Sequence, residues 1–382
     1  MASTSSRNGP EQGPLCDIVI PIWNQPERTG RCLESILAET TEPVRLILID
    51  NGSEAPTREL LDRFQVTRRC AEAPGGVISA NASRYPVQII RNKENLGFIR
   101  GVNQGIRASN APWICLLNND TIVSPGWLTE LLRVGQGNPS IGLINPTSNS
   151  LGYNAGSNSP AEVARLLKSE SGRWTELTTA LGFCLFSRRA LYDQVGLLDE
   201  SFGMGYFDDD DLSRRVRKAG LLCVRACAAY VYHEEQVSFK ELPGWKKTFE
   251  ENRSKFHERW GRPLRILWAM PSANPRSMEI AARRAQEGHW ITFITPAPIP
   301  DAQWPSQAQL NRLELPAAGW KRQTLLKLII RRKKPFDLLV SEEPSVSRWA
   351  GRLGWLHHAR ILNKPDEKDL IEQCRKLSLS PS

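Results

Sequence analysis

Three acidic sites and one imidazole stand where an α/β chain puts its chemistry. Asp120 follows an apolar run, residues 113–117, and two amides, Asn118 and Asn119; Asp50 follows the β-rich run 44–49. Four consecutive aspartates occupy 208–211, and His233 ends the run 224–232. In open α/β sheets ligands gather outside the carboxyl ends of strands, and a hard divalent cation there takes oxygen ligands while substrate phosphates complete its shell. That placement suits a nucleotide diphosphate. Taken singly, each residue also has a plainer reading. Asn118, Asn119 and Asp120 can form a turn and a cap ahead of Pro125. Asp50 before Asn51 and Gly52 is a good turn residue, and the aspartate run can cap a helix starting near Leu212, where negative charge meets the positive helix end.

The elements that must position these groups alternate between strand and helix patterns. Residues 15–22 read as a buried strand, and 26–40 as an amphipathic helix with Cys32, Leu33, Ile36 and Leu37 inward. A second strand runs to Ile49. Residues 66–86, with Pro74, Gly75 and Gly76, read as a surface insertion before a third strand, 87–90. A glycine-rich helix start covers 95–105, and the following strand is expected to close at Asp120. This order predicts an α/β fold with a mostly parallel, doubly wound sheet. Beyond Pro146 the Ser, Asn and Gly of 148–159 predict a loop; 182–186 is β-type, and 213–219 is a basic helix behind the aspartates.

The 382 residues and 43.0 kDa favour two domains. No apolar run approaches the ~20 residues that cross a bilayer. Residues 1–14 are polar, lack the apolar core of a secretory signal, and are expected to be a disordered tail. The eight cysteines are scattered without a Cys-x-x-Cys pair, which predicts reduced thiols of a cytoplasmic protein and no zinc site. The formal charge of +9 is uneven: residues 263–382 carry +8 and residues 1–262 carry +1. The basic excess speaks against nucleic acid as a partner of the whole chain and for an anionic surface near the C-terminal third.

The order of the motifs resembles the family 2 inverting glycosyltransferases of the GT-A fold, in particular the rhamnosyltransferase-like members. The resemblance covers about residues 15–240. It rests on the run from Ile18 through Pro21 to Asn24, on Asp50-Asn51-Gly52-Ser53, on Asn95-Leu96-Gly97-Phe98 with Asn103-Gln104-Gly105, and on Asn118-Asn119-Asp120 with Pro125-Gly126-Trp127-Leu128. It continues through Gly196-Leu197-Leu198-Asp199-Glu200, the aspartates with Leu212, and His233 with Ser238. The resemblance implies that Asp50 accepts the imide N–H of a uracil or thymine, and that Pro21 and Asn24 line the same pocket. Asn51, Asn95, Gly97, Asn118 and Asn119 are expected beside the donor. Asp120, the last residue of an Asp-x-Asp-like motif whose first position is Asn118, is expected to bind Mg²⁺ or Mn²⁺ together with His233. Asp209 is expected to be the general base, with Asp208 the alternative one residue away and Asp211 ordering the helix start.

Residues 264–342 show a further βαβ pattern that resembles the opening of the N-terminal half of GT-B glycosyltransferases. Residues 15–262 are thus expected to be a GT-A domain, and 263–382 a Rossmann-like α/β domain without chemistry of its own. Residues 320–334 are basic and amphipathic: a crossover helix, a membrane-surface helix, or both. The implied activity is metal-dependent, inverting transfer of a sugar from dTDP- or UDP-sugar, dTDP-rhamnose among them, to a glycan or lipid-linked acceptor in polysaccharide assembly. The setting is cytoplasmic, peripheral to the inner face of the membrane. Two rivals are a sugar nucleotidyltransferase, which would open with a Gly-rich basic loop where this chain has Pro21-Ile22-Trp23-Asn24, and a non-catalytic nucleotide- or glycan-binding module. Sugar choice is expected to depend on loops 147–182 and 200–210, with Trp174, Tyr206 and Trp245 as candidate stacking surfaces.

Overall fold

The computed structural model describes residues 13–71, 85–234, 244–300, 304, 309–330, 334–364 and 366–379, the helix end 66–71 by its backbone alone. Residues 1–12 of the expected tail, most of the insertion, Ser238 and Arg331 to Lys333 lie outside them. Contacts divide the chain into Met1–Thr175 with Thr179–Trp245, and Lys246–Ser382 with Glu176–Thr178.

The first unit begins with β1 (Cys16–Ile22), α1 (Pro26–Glu39), β2 (Val44–Asn51), α2 (Ala55–Ala71), β3 (Val87–Asn92), α3 (Phe98–Ala108) and β4 (Trp113–Leu117). Near-continuous burial of β1, β2 and β4, broken only at Arg45, matches their runs of Ile, Val and Leu, because helices cover both faces of such a sheet. α2 takes up 66–71, so the inserted stretch is shorter than its composition suggests. β4 ends at Leu117. Asn118, Asn119 and Asp120 form a turn rather than the strand's end, and lead into β5 (Thr121–Val123).

Then follow α4 (Trp127–Gly137), β6 (Ile141–Thr147), α5 (Pro160–Leu167), β7 (Trp174–Leu177), β8 (Cys184–Arg188), α6 (Leu191–Val195), α7 (Asp208–Lys218) and β9 (Leu222–His233). The nine-stranded sheet has the order β3-β2-β1-β4-β8-β6-β9-β5 along its main path, with β7 beside β9. β1, β2, β3 and β4 are parallel, as are β6 and β9, whereas β8 and β5 run antiparallel to their neighbours. It is the mostly parallel, doubly wound sheet expected. Because the chain crosses from β3 back past β1 to β4, a crevice opens at the carboxyl ends of β1 and β4, the place where such sheets bind ligands. Gly105 lets α3 lie close to that sheet: a Cβ there would stand 2.2 Å from Val19 Cγ1.

The second unit holds α8 (Trp245–Trp260), almost all of it, and a parallel five-stranded sheet, β10 (Arg265–Ala269), β11 (Trp290–Thr295), β12 (Leu310–Glu314), β13 (Leu338–Ser341) and β14 (Arg360–Asn363). Its order is β12-β11-β10-β13-β14, doubly wound in its own right. The helices are α9 (Pro275–Gln286), α10 (Trp320–Ile330), α11 (Pro344–Arg352), α12 (Gly354–His357) and α13 (Glu367–Leu379). Apolar clusters lie on both faces of the sheet, one around Trp268 and Phe293, the other around Leu267, Leu339 and Trp320.

Candidate active site

The turn after β4 and the end of β9 meet because β5 pairs antiparallel with β9, setting Thr121 opposite His233. His233 Nε2 lies 3.1 Å from Asp120 Oδ1 and 3.4 Å from Asn118 Nδ2. The Asp120 contact has ion-pair distance without hydrogen-bond alignment, and both Asp120 Oδ1 and Asn118 Oδ1 are buried with no hydrogen-bond partner. On its other side, His233 Nδ1 is 2.8 Å from Ser150 Oγ. Asn149 fixes the backbone at that point, its Nδ2 donating to the His233 carbonyl at 2.7 Å and its Oδ1 accepting from the His233 N–H at 3.0 Å. Phe183 stacks on the imidazole with ring centroids 5.1 Å apart.

These contacts bear on whether a divalent cation fits. The tautomer that carries its ring proton on Nδ1 and donates it to Ser150 Oγ turns the Nε2 lone pair of His233 toward the unpartnered Asp120 oxygen. Two lone pairs facing each other call for a proton or a cation between them. One carboxylate, one imidazole and one amide oxygen form a sparse donor set. Among the described residues no group of three His, Cys, Asp or Glu side chains is disposed for a metal. A sparse set fits Mg²⁺ or Mn²⁺, which keep open positions for phosphate oxygens and water, and does not fit a closed structural site.

The aspartate run forms the first turn of α7. It is entered through Tyr206 and Phe207, both with φ near +70°, a left-handed conformation that side chains with a Cβ adopt at a cost. The half-buried Asp209 accepts from the N–H of Gly182 at 3.1 Å and of Asp210 at 2.9 Å. Burial, reinforced by the Asp208 and Asp210 carboxylates, holds the Asp209 carboxyl well above the usual range, and burial likewise pushes Asp208 up to about 6. Asp211 is fully buried and paired with Arg215 at 2.8 Å, within its own helix.

A short segment joins the two clusters. Gly182 binds Asp209, while the carbonyl of Phe183 accepts from the Asn118 N–H at 2.8 Å and its ring lies on His233. Asn145, wholly buried on β6, clamps this segment by donating to the carbonyls of Leu181 and Cys184 and accepting from the Leu181 N–H. Asp209, Asp120, His233 and Asn118, chosen from three separate stretches of sequence, are thereby one locality. Asn145, Asn149, Ser150 and Phe183 escaped the sequence reading. The one signal available was the concentration of Asn and Ser just after a strand.

The other expected residues line the neighbouring strand ends. Asp50, buried at the end of β2, accepts from Arg91 Nη1 at 2.7 Å and the Ser53 N–H at 3.0 Å. A carboxylate offers about four acceptor positions, so these two bonds orient it without exhausting it. Asn51 Nδ2 donates to Asn95 Oδ1 and the Gly97 carbonyl, and its Oδ1 accepts from Asn92 and the Leu96 N–H, so this trio shapes a loop wall. Pro21 is buried in β1. Asn24 donates its N–H to Ser53 Oγ and accepts from the Glu54 N–H, joining the loops that follow β1 and β2. Asn119 points to α1 instead, donating to Thr29 Oγ1 at 2.9 Å.

Comparison with known proteins finds a family match for part of the chain. Residues 17–194 match the family model described as Glycosyl transferase family 2. Over 288 residues the chain is 26% identical to the N-acetylglucosaminyl-diphospho-decaprenol L-rhamnosyltransferase of Mycobacterium tuberculosis, covering 65% of this chain and 87% of that one. It is also 26% identical over 276 residues to an uncharacterized protein of Sinorhizobium fredii, of which it spans 28%. Among solved structures it is similar to a mannosyltransferase of Pyrobaculum calidifontis in complex with GDP-Man and Mn²⁺, with a TM-score of 0.45, 14% identity, and coverage of 72% of this chain and 75% of that one.

Proposed function

We propose that this chain, whose residues 17–194 match the Glycosyl transferase family 2 model, transfers a sugar with inversion from a nucleotide diphosphate to a glycan or lipid-linked hydroxyl. The observation that carries the reading is the convergence of the Asp209 carboxylate and a cluster of Asp120, His233 and Asn118, in which Asp120 Oδ1 and Asn118 Oδ1 lack hydrogen-bond partners, joined through Gly182 and Phe183. In the reaction the acceptor oxygen forms a bond to the anomeric carbon from the face opposite the departing phosphate oxygen. The electron pair of the broken bond leaves on the nucleoside diphosphate, and the hydroxyl proton passes to a carboxylate.

Asp209 is the group that takes this proton. The N–H groups of Gly182 and Asp210 hold its two oxygens in place, and its raised basicity brings it nearer the working pH, where a general base is most effective. Asp208, buried in the same turn, supplies like charge that sharpens this basicity, and is the alternative base. Asp120, His233 and the Asn118 amide oxygen would hold Mg²⁺ or Mn²⁺, whose contribution when bound is to neutralise charge on the leaving diphosphate. Asp50, Pro21 and Asn24, at the strand ends beside them, receive the base and ribose of a uridine or thymidine donor. Asn51, Asn95 and Gly97 support that wall.

The name of the mycobacterial relative, which includes both L-rhamnosyl transfer and a diphospho-decaprenol acceptor, supports dTDP-rhamnose as the first donor to test and a lipid-linked acceptor in cell-surface polysaccharide assembly. Residues 263–382 then serve as a domain without chemistry of its own, holding the enzyme at the cytoplasmic face of a membrane. In the crevice of its sheet Glu342 accepts from Trp268 Nε1 and Asn274 Nδ2, which sets a carboxylate where a phosphate would otherwise lie. A screen of dTDP- and UDP-sugars with Mg²⁺ or Mn²⁺, read as transfer to a synthetic lipid-diphosphate acceptor, tests the reading. Metal-stimulated transfer from at least one donor supports it; binding without transfer or hydrolysis for every donor favours a non-catalytic module.

A further inference from the structure

The second unit leaves an apolar surface uncovered. Leu326 and Ile330 on α10 are 42% and 69% exposed, Trp349 on α11 is 52% exposed, and Trp355 and Leu356 on α12 are 73% and 38% exposed. The three helices pack on one another, so these side chains belong to one region of the surface. Helix α10 is apolar on two sides. Trp320, Thr324 and Leu328 face the core at helical spacing, while Leu326 and Ile330, four residues apart, emerge elsewhere. Two tryptophans, a leucine pair and an isoleucine in one place exceed the scattered apolar exposure that an ordinary surface carries.

The charge within these three helices is basic alone. Residues 320–330 and 344–357 contain no Asp or Glu, and they carry Lys321, Arg322, Lys327, Arg348 and Arg352. Lys321 is paired with Glu343 at 3.0 Å, whereas Arg322, Lys327 and Arg348 make no ion pair among the described residues. The Arg352 guanidinium lies over the Trp349 ring, 5.0 Å from its centroid. Exposed tryptophans on helices that carry basic and no acidic side chains fit the headgroup level of an anionic bilayer, where indole rings settle and each cation gains from the surface potential. No helix among the described residues is long and apolar enough to cross a membrane, so such contact would lie in the surface.

We infer that α10, α11 and α12 form the face by which this chain docks on an anionic lipid surface, with Trp349 and Trp355 entering the headgroup region. This deepens, and rests on, the reading of a lipid-linked acceptor, since a docked enzyme meets its acceptor in two dimensions.

The test uses the full chain and vesicles of phosphatidylcholine, with and without about a third of phosphatidylglycerol. Partition is measured by co-sedimentation, and insertion by quenching of tryptophan fluorescence with brominated lipid. Wild type is expected to bind the anionic vesicles alone and to be released by salt. Arg322→Gln/Lys327→Gln/Arg348→Gln/Arg352→Gln is expected to lose roughly 10²–10³-fold in partition, and Trp349→Ser/Trp355→Ser at least about tenfold together with most of the quenching. Leu166→Ser, which removes an exposed leucine of the first unit, is expected to bind as wild type does. Circular dichroism and transfer to a soluble acceptor check that the variants fold. Wild type that ignores anionic vesicles, or variants that bind as well as wild type, overturns the inference. So does a wild-type dimer in sedimentation velocity that the tryptophan variant dissolves while vesicle binding persists, because the face would then cover a second copy. Vesicle binding does not depend on catalysis: intact binding with no sugar transfer would remove the enzymatic reading and leave the surface standing.

Discussion

Ser150→Ala isolates the contact that sets the His233 tautomer. The hydroxyl lies 2.8 Å from Nδ1 in a half-buried setting, while the loop's hold on the strand end comes from Asn149, through two hydrogen bonds to the His233 backbone. Removing one oxygen therefore leaves the ring in place against Phe183 but leaves Nδ1 without its partner. Loss of such an outer contact to a ligating histidine lowers metal affinity by about 10- to 100-fold, or about 1.4–2.8 kcal/mol at 1.4 kcal/mol per decade. Calorimetric titration of a nucleoside diphosphate over a range of Mn²⁺ concentrations reads the effect. The Mn²⁺ dependence is expected to move up by that factor, metal-free affinity to stay the same, and Ser150→Thr to restore most of the loss. An unchanged Mn²⁺ dependence in Ser150→Ala would refute the assignment of Nδ1 as the proton-bearing nitrogen and, with it, the argument that Nε2 faces a cation.

The pH profile carries a second prediction. Asp209 must be ionised to accept a proton, and burial raises its pKa, so kcat/KM is expected to fall as pH drops through a limb above the ordinary carboxylate range; stability moves the opposite way, since charging Asp208, pushed up to about 6, and Asp209 disfavours the fold as pH rises past it. Parallel pH–rate and pH–melting series check both signs. Gly105→Ala should force α3 away from Val19 and destabilise by about 1–3 kcal/mol in denaturant unfolding. Asp17 is fully buried under Arg45, Ser109 and two backbone N–H groups; burial works to raise its carboxyl, but these partners prevail and hold it below its usual value. Its stabilisation is therefore present above the ordinary carboxylate pKa and is lost as pH falls through the depressed one. Asp17→Ala, which leaves Arg45 uncompensated, is expected to cost about 3–5 kcal/mol near neutral pH, and less in acid.

The parallel core of the first unit was legible because buried strands such as 44–51 and 113–117 are uninterrupted apolar runs, and amphipathic stretches such as 26–39 have helical spacing. Asp50, Asp120, the aspartates 208–211 and His233 could be singled out because polar residues at strand and helix ends are conspicuous, and the family resemblance pointed to Asp209 within the run. What joins them was not legible. Gly182, Phe183, Asn145 and Ser150 act through backbone groups, a ring face, a side-chain amide and one hydroxyl, and their residue types have no distinctive spacing. The antiparallel pairing of β5 with β9 that brings His233 to the turn depends on a three-residue strand, too short for any periodicity to reveal. Asn119 shows the converse: it looks like part of the ligand motif, yet its amide holds α1 through Thr29. In the second unit the short strands β12 and β14 and the helices α11 to α13 carry weak patterns and emerge in the folded sheet alone.

The central claim is that Asp209 removes the acceptor proton in an inverting transfer, and its most direct test pairs product stereochemistry with one substitution. With the donor identified by the screen, NMR of the product is expected to show the anomeric configuration opposite to that of the donor. Asp209→Asn, which keeps an oxygen able to accept from Gly182, is expected to lower turnover by roughly 10²–10⁴ while donor affinity stays close to wild type. A product of retained configuration, or an Asp209→Asn enzyme that turns over as wild type does, would contradict the account.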